Sequence, residues 1–303
     1  MEKSTVMITG ASGLLGRALM SKFVNSESWK KVIGTAFSRS VGNLVHVDLT
    51  NLDEIEAMIR DHKPDILIHA AAQRFPDKMQ KDPEKSRKLN VDASKFLAEA
   101  LKDIGSKMIY ISTDYVFDGK NPPYKHDSLP NPLNDYGISK LDGEKVVLKQ
   151  NNKNIVLRIP ILYGDVEYLD ESAITTLFPK LKNYSVNCEM SDYEIRRPSH
   201  VNDIASIVHD LSNKLVSSKD PAHIPYGIYQ WCGLQPLTKY DMIKIMSQVF
   251  NLENTHVIGA KKTSPGAPRP YDTSMDTSRL LDLQINYHTP FENGIKSALE
   301  KWS

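Results

Sequence analysis

An open α/β sheet of parallel, doubly wound strands is what this sequence predicts, on three observations. Over roughly the first 160 residues, short apolar β-prone runs alternate with stretches of helical periodicity. A glycine turn with the spacing GxxGxxG joins the first strand to the first helix. Beyond Pro160 the alternation loosens into helices separated by proline-rich loops. The expected organisation is a nucleotide-binding domain over 1–160 of the Rossmann type. A smaller substrate-binding region over 161–303 is expected to be partly interleaved with it.

The first run, 5–9, stops at Gly10. Gly10 is suited to a tight turn, Gly13 to a pyrophosphate lying on backbone at a helix N-terminus, and Gly16 to close packing of helix on strand. The whole loop, Gly10, Ser12, Gly13, Leu14, Leu15 and Gly16, is therefore the expected cofactor contact. A second strand, 31–37, runs into Arg39. An acid there would accept the 2′-hydroxyl of NAD, whereas an arginine suits the 2′-phosphate of NADP. The third strand, 44–49, ends at Asp48 and Leu49, which are placed at the adenine edge.

Residues 52–60 read as helix and 65–69 as a fourth strand. Ala70, Ala71 and Ala72 follow, small enough for a cofactor to lie against the backbone. A long helix is predicted over 83–104 with Asn90 inside it. Asn has poor helix propensity, so Asn90 is expected to bond a neighbouring element. The fifth strand, 107–113, puts Thr113 at its C-terminal end, where ligands bind in open α/β sheets. The helix over 136–148 places Tyr136 and Lys140 one turn apart on one face. A phenol is a weak acid at neutral pH, and a nearby ammonium would lower its pKa and fit it for proton transfer to a substrate oxygen. The sixth strand, 155–159, ends in Ile159 on the cofactor edge. Helices are expected over 204–215 and 239–250, among loops rich in proline around Pro198, Pro221, Pro225 and 265–270.

The 303 residues carry a formal net charge of +1 without long runs of one sign. That excludes nucleic acid and an anionic membrane as principal partners. Cys188 and Cys232 are the only cysteines, with no metal-ligand spacing around them, so neither a disulfide framework nor a metal is expected. No signal peptide or membrane-spanning run is present, and the expected compartment is the cytoplasm.

Together the glycine loop, Thr113, Tyr136 and Lys140 resemble the extended short-chain dehydrogenase/reductase superfamily. The resemblance implies NADP(H) as cofactor. It implies Thr113 and Tyr136 on the reacting carbonyl, Lys140 on the nicotinamide ribose, and Asn90 supporting a proton-relay water. Longer strings, from Ser112-Thr113-Asp114-Tyr115 through Tyr136-Gly137-Ile138-Ser139-Lys140, look like the dTDP-4-dehydrorhamnose reductases. Asp118-Gly119-Lys120-Asn121-Pro122-Pro123-Tyr124 and Arg158-Ile159-Pro160-Ile161-Leu162-Tyr163-Gly164 are closer to the regulatory β subunits of methionine adenosyltransferase. The first likeness implies NADPH-dependent reduction of a dTDP-linked 4-keto sugar. Thr113, Asp114, Tyr115 and Ile161 would then face the sugar, and Arg196, Arg197 and Arg269 its pyrophosphate. Ile161 stands where the reductases carry a sugar-facing Trp. The second likeness implies a regulator that binds NADP and docks on methionine adenosyltransferase. The sequence closes on Glu300-Lys301-Trp302-Ser303, short of the β subunits' basic and aromatic tail, so weak docking is the expectation. An epimerase or dehydratase of the same superfamily is a third reading, disfavoured by Arg39. A homodimer, or a hetero-oligomer with methionine adenosyltransferase or another pathway enzyme, is the expected assembly.

Overall fold

Strands and helices alternate as the sequence pattern requires in this computed structural model, which describes residues 4–39, 42–75, 77, 79, 82–217 and 225–303. Pro221 lies outside the described residues. The chain runs β1 (Ser4–Thr9), α1 (Leu14–Val24), β2 (Trp29–Ala36), β3 (Val45–His46), α2 (Leu52–His62) and β4 (Ile66–His69). It continues through α3 (Pro83–Arg87), a π-helical turn (Lys88–Asp92), α4 (Ala93–Asp103), β5 (Lys107–Thr113), α5 (Asp135–Gln150) and β6 (Ile155–Ile159). The second half adds β7 (Leu162–Tyr163), α6 (Leu177–Leu181), β8 (Cys188–Ser191), β9 (Ser199–His200), α7 (Val201–Ser217) and β10 (Gly227–Gln230). It ends with α8 (Lys239–Phe250), β11 (Val257–Ala260), α9 (Ser278–Asp282) and α10 (Phe291–Leu299).

The main sheet is parallel throughout, in the order β10-β6-β5-β4-β1-β2-β3. Side chains alternate between its two faces with the period-two pleat. Val6 and Ile8 of β1, Ile109 and Ile111 of β5, and Ile155 and Leu157 of β6 pack with Leu19 and Phe23 of α1 and Ile204 and Val208 of α7. The intervening Met7, Met108, Tyr110 and Val156 face α2, α4 and α5 instead. Strands covered on both faces read as continuous apolar runs, which is why they stood out in the sequence. The order reverses between β1 and β4, the switch point at which a doubly wound sheet opens a ligand crevice.

Three elements depart from the sequence reading. The third strand pairs only over Val45–His46, because Asp48 turns the chain by accepting bonds from Thr50 N and Oγ1 at 2.8 and 2.7 Å. The helix predicted over 83–104 is interrupted by a π-helical turn at Asn90. The sheet gains a seventh strand, β10, from the second half of the chain, and α7 of that half packs on α1. The remaining second-half residues form their own core, in which Phe178, Met242, Ile243, Phe291 and Ile295 meet. Among the described residues, no helix is long and apolar enough to cross a membrane.

A buried ion pair fastens β6 to α5 and β10. Arg158 Nε and Nη2 donate to Glu144 at 2.9 and 2.7 Å, Nη1 donates to Gln230 Oε1 at 3.1 Å, and Ser112 Oγ donates to Glu144 at 2.5 Å. Removing one partner strands the other charge away from water. Glu144→Ala is therefore expected to lower stability by about 3–5 kcal/mol, whereas Glu144→Leu/Arg158→Met recovers most of it. Urea unfolding of both variants checks this, and an unchanged midpoint for Glu144→Ala would contradict it.

Candidate active site

A cavity of about 780 Å³ opens at the C-terminal edge of β1, β2, β4, β5 and β6. The glycine loop forms one wall. Gly10 has φ of +68°, and a Cβ on it would lie 2.9 Å from the backbone of Ala71. A Cβ on Gly16 would lie 2.0 Å from the Gly10 carbonyl, a distance no side chain tolerates. α1 thus starts hard against the end of β1, and its Gly13 N-cap supplies no side-chain hydrogen bond. The open N–H groups and the helix dipole suit this wall to an anion.

The cavity wall includes Gly10, Ser12, Gly13, Leu14, Leu15, Gly16, Arg39, Asp48, Leu49, Ala70, Ala71, Ala72 and Ile159 from the expected cofactor set. It also includes Thr113, Tyr136 and Lys140, and Asp114, Tyr115, Ile161 and Arg269 from the expected substrate set. Residues distant in sequence thus converge on one space.

Asn90 sits behind this wall, 1% exposed. Its Nδ2 donates to Gln73 O and Ser139 Oγ, both at 3.0 Å, and its Oδ1 accepts from Gln73 N at 2.8 Å. The side chain therefore ties the segment after β4 to α5, the neighbouring element foreseen for it. His69, which sequence reasoning saw only as a strand end, extends the network. Ser94 Oγ donates to the Asn90 carbonyl at 2.8 Å, so it accepts from His69 Nε2 at 3.1 Å, and Nδ1 accepts from Thr9 Oγ1 at 2.7 Å. Burial, with Lys140 nearby, pushes His69 down to about 3 and keeps it neutral.

Asn134 caps α5, accepting from Gly137 N at 3.0 Å, and so sets Tyr136 in the first turn, half-buried against the cavity. Burial pushes the Tyr136 phenol up to about 12, with the Thr113 hydroxyl acting in the opposite direction. The expected lowering of Tyr136 by Lys140 is not found. The Lys140 ammonium lies 3.9 Å from the centre of the Tyr110 ring, a cation–π contact that holds it on another aromatic group. Burial pushes Lys140 itself down to about 7, and Glu144 opposes this. Thr113 Oγ1 donates to Asp114 Oδ1 at 3.1 Å. Asp114 is pushed up to about 6 by burial, against hydrogen bonds from Thr273 and Thr113 and the charge of Arg196.

The arginines divide. Arg269 lines the cavity, donating to the carbonyls of Pro265 and Ala267 at 2.7 and 3.1 Å and approaching Asp77 at 3.4 Å. Arg196 and Arg197 do not line it, contrary to expectation. Arg196 is 4% exposed and donates to the carbonyls of Ile195 and Pro270 at 2.8 and 3.0 Å. Arg197 donates to Ser274 Oγ and the Leu234 carbonyl at 2.9 and 2.8 Å. Their donors satisfy loop carbonyls and fasten the 270–275 segment. Arg74, which the sequence reading missed, lines the cavity, stacks on Phe75 and donates to the Glu171 carbonyl. Arg39 pairs with Glu167 at 2.6 Å, and Arg17 grips both oxygens of Glu171 at 2.8 and 2.7 Å. Neither acid was singled out in the sequence as a partner for an arginine at the cavity.

Residues 4–303 match the family described as RmlD substrate binding domain. Methionine adenosyltransferase 2 subunit beta of Xenopus tropicalis is 42% identical over 294 residues, covering 97% of this chain and 86% of that protein. The dTDP-4-dehydrorhamnose reductase of Aggregatibacter actinomycetemcomitans is 31% identical over 283 residues, 91% of each chain. Among solved structures, dTDP-4-dehydrorhamnose reductase of Bacillus anthracis in complex with NADP superposes with a TM-score of 0.83 at 25% identity over 99% of both chains.

The depressed Lys140 makes a stability prediction. An unfolded lysine titrates near 10.5 and the folded one near 7, so unfolding takes up a proton between those values. The resulting cost to the folded state is absent above pH 10.5, grows as pH falls and is complete below about 7. Lys140→Met, which keeps the stem, is expected to unfold at least as late as the parent at pH 6, by on the order of 1–4 kcal/mol, with the gain shrinking toward pH 10. Thermal melts across that range test it. A variant that is less stable at pH 6, with a deficit independent of pH, contradicts it.

Proposed function

We propose, from the premise that the chain belongs to the RmlD substrate binding domain family, that it binds NADP(H) and reduces the keto group of a nucleotide-activated 4-keto sugar of the dTDP-4-dehydrorhamnose kind. The observation carrying this reading is the convergence of Thr113, Tyr136 and Lys140 with the glycine loop on one cavity. The residues present suit a dinucleotide. Gly10 and Gly16 are positions where a Cβ would collide, so backbone is what faces the ligand. Arg39 lines the cavity on the connection just after β2.

The glycine loop and the α1 N-terminus would hold the pyrophosphate, Asp48 and Leu49 the adenosine, and Arg39 its 2′-phosphate. When bound, NADPH supplies the hydride for carbonyl reduction. Tyr136, held near 12, is protonated throughout the neutral range, the state required of a proton donor. Its proton would pass to the carbonyl oxygen while the Thr113 hydroxyl, turned from Asp114, would donate a hydrogen bond to the same oxygen. Lys140, which lines the same cavity, would hold the nicotinamide ribose, and its charge brought near Tyr136 would lower the phenol pKa. Arg269 is the cation available to the sugar nucleotide.

A second reading is supported by identity. The likeness to methionine adenosyltransferase 2 subunit beta reaches 43%, against 31% for the reductase. In that reading the NADP(H) cavity is a ligand site, and the outer surface docks on a methionine adenosyltransferase catalytic subunit. The two are separated by mixing the purified chain with that subunit and, in parallel, with dTDP-4-dehydrorhamnose and NADPH. Sugar-dependent NADPH oxidation supports the reductase. Submicromolar co-elution with no oxidation sinks it and supports the regulator.

Two variants probe the site directly. Tyr136→Phe is expected to bind NADPH within a few-fold of the parent while losing about 10²–10⁴ in turnover. Parental turnover would remove Tyr136 from the chemistry. Arg39→Ala is expected to weaken NADPH binding by about 1.5–3 kcal/mol and NADH binding far less. Equal losses in calorimetry would remove Arg39 from the phosphate site.

A further inference from the structure

The residue facing Arg39 comes from a distant part of the chain. Glu167 lies on the connection after β7, and its Oε2 sits 2.6 Å from Arg39 Nη1 and 3.4 Å from Arg17 Nη1. The neighbouring Glu171 approaches Arg39 Nη2 at 3.6 Å. The two carboxylates differ in their surroundings. Glu171 has a side chain 1% exposed, is gripped at both oxygens by Arg17, and accepts from Glu167 N at 3.0 Å. Hydrogen bonds from Arg17 and from the Glu167 backbone hold its carboxyl below the usual range in spite of burial. It fixes the connection in place. The Glu167 side chain is 51% exposed and touches the two arginines without a buried anchor of its own.

Arg17 and Arg39 are already paired at this corner before any ligand arrives, with Arg74 beside them on the Glu171 carbonyl. Arg17 and Arg39 supply two positive charges, and Glu167 and Glu171 supply two negative ones. A 2′-phosphate directed at Arg39 therefore meets a neutralised guanidinium. It competes with Glu167 for the Arg39 Nη1 donor, because Glu167 is the closer and more exposed of the two carboxylates while Glu171 is held by Arg17. A ribose carrying only a 2′-hydroxyl asks for no such exchange.

We infer that Glu167 is a cofactor-selectivity residue that competes with the NADP 2′-phosphate for Arg39 and so moderates the preference for NADPH over NADH. The role resembles that of the acid at the end of the second strand in NAD-selecting sheets, with the carboxylate delivered from the second half of the chain. This inference rests on the NADP(H) reading above and goes beyond it by naming the residue that sets the preference.

A half-exposed ion pair is a weak competitor, so the effect is modest. Glu167→Gln is expected to tighten NADPH binding about three- to tenfold at low salt and to leave NADH within about twofold, with the gain shrinking as salt screens the phosphate. In an Arg39→Ala background the same substitution is expected to give no gain. Calorimetric or fluorescence titration of the purified full chain with NADPH and NADH reads all four proteins. Because Glu167 is half-exposed, the variant is expected to keep the parent's circular dichroism and melting temperature. An unchanged NADPH-to-NADH affinity ratio in Glu167→Gln, with NADPH still bound by the parent, overturns the inference and leaves the cofactor reading standing. Equal gains for both cofactors, or a gain that persists without Arg39, overturn it as well. A parent that binds neither cofactor overturns both.

Discussion

The approach of α1 to the end of β1 is the constraint on which the rest of the structure depends. A Cβ on Gly16 would sit 2.0 Å from the Gly10 carbonyl, and one on Gly10 would press on Ala71 of the neighbouring crossover. With both absent, the helix N-terminus and the segment after β4 close on the same few backbone atoms. That closeness places open N–H groups, small residues and the strand ends around one cavity at the switch point of the sheet. A larger residue at either position would push α1 outward. It would also disturb the face of the sheet that α1 and α7 cover together.

Around this frame the protein buries groups that water would solvate better. Lys140, Tyr136, Asp114 and His69 are all moved away from their ordinary values, each chiefly by burial. Such clustering in a cleft is expected of a functional site. Three of the four line the cavity, and the fourth sits behind it in the chain of hydrogen bonds through Ser94 to Asn90. The π-turn at Asn90 belongs to the same arrangement. It breaks the helical ladder where an Asn side chain bridges to Gln73 and Ser139, which accounts for a residue of low helix propensity inside a long helix.

What was legible in the sequence was what is local. The β1–Gly10–α1 turn, the Tyr136–Lys140 spacing and Thr113 at a strand end each depend on a few consecutive residues and on periodicity. The sequence does not reveal where a long side chain finds its partner. Arg196 and Arg197 resemble phosphate ligands in sequence, yet their forks go to the carbonyls of Pro270 and Leu234. Lys140 has the helical spacing that faces a tyrosine, but the ring beneath it is Tyr110, from β5. β10 escaped notice because it is four residues long, and it is recognisable as a strand only once β6 offers it an edge. Arg39 was legible, whereas its partner Glu167, 128 residues away, was not.

The second half of the chain is therefore part of the wall of the cavity that the glycine loop also lines, as well as the region expected to face the substrate. Its β10 and α7 complete the sheet and one of its faces. Its Glu171 carboxylate anchors Arg17 beside the glycine loop, and the Glu171 carbonyl receives Arg74. Ala173, just beyond, lines the cavity together with Ile161 and Leu162. A ligand that moves Arg39 or Arg74 would thus pull on the segment that continues into the cavity wall at Ala173. The coupling follows from covalent continuity over a few residues and needs no long-range pathway. It serves either reading of the protein. In a reductase it would let cofactor binding shape the pocket for the sugar. In a regulatory subunit it would let the same binding event reach the outer surface through Asp165, whose carboxylate holds Lys301 near the C-terminal end at 2.6 Å. One fold could support both outcomes, because chemistry would sit in the cavity while a docking surface would sit outside it.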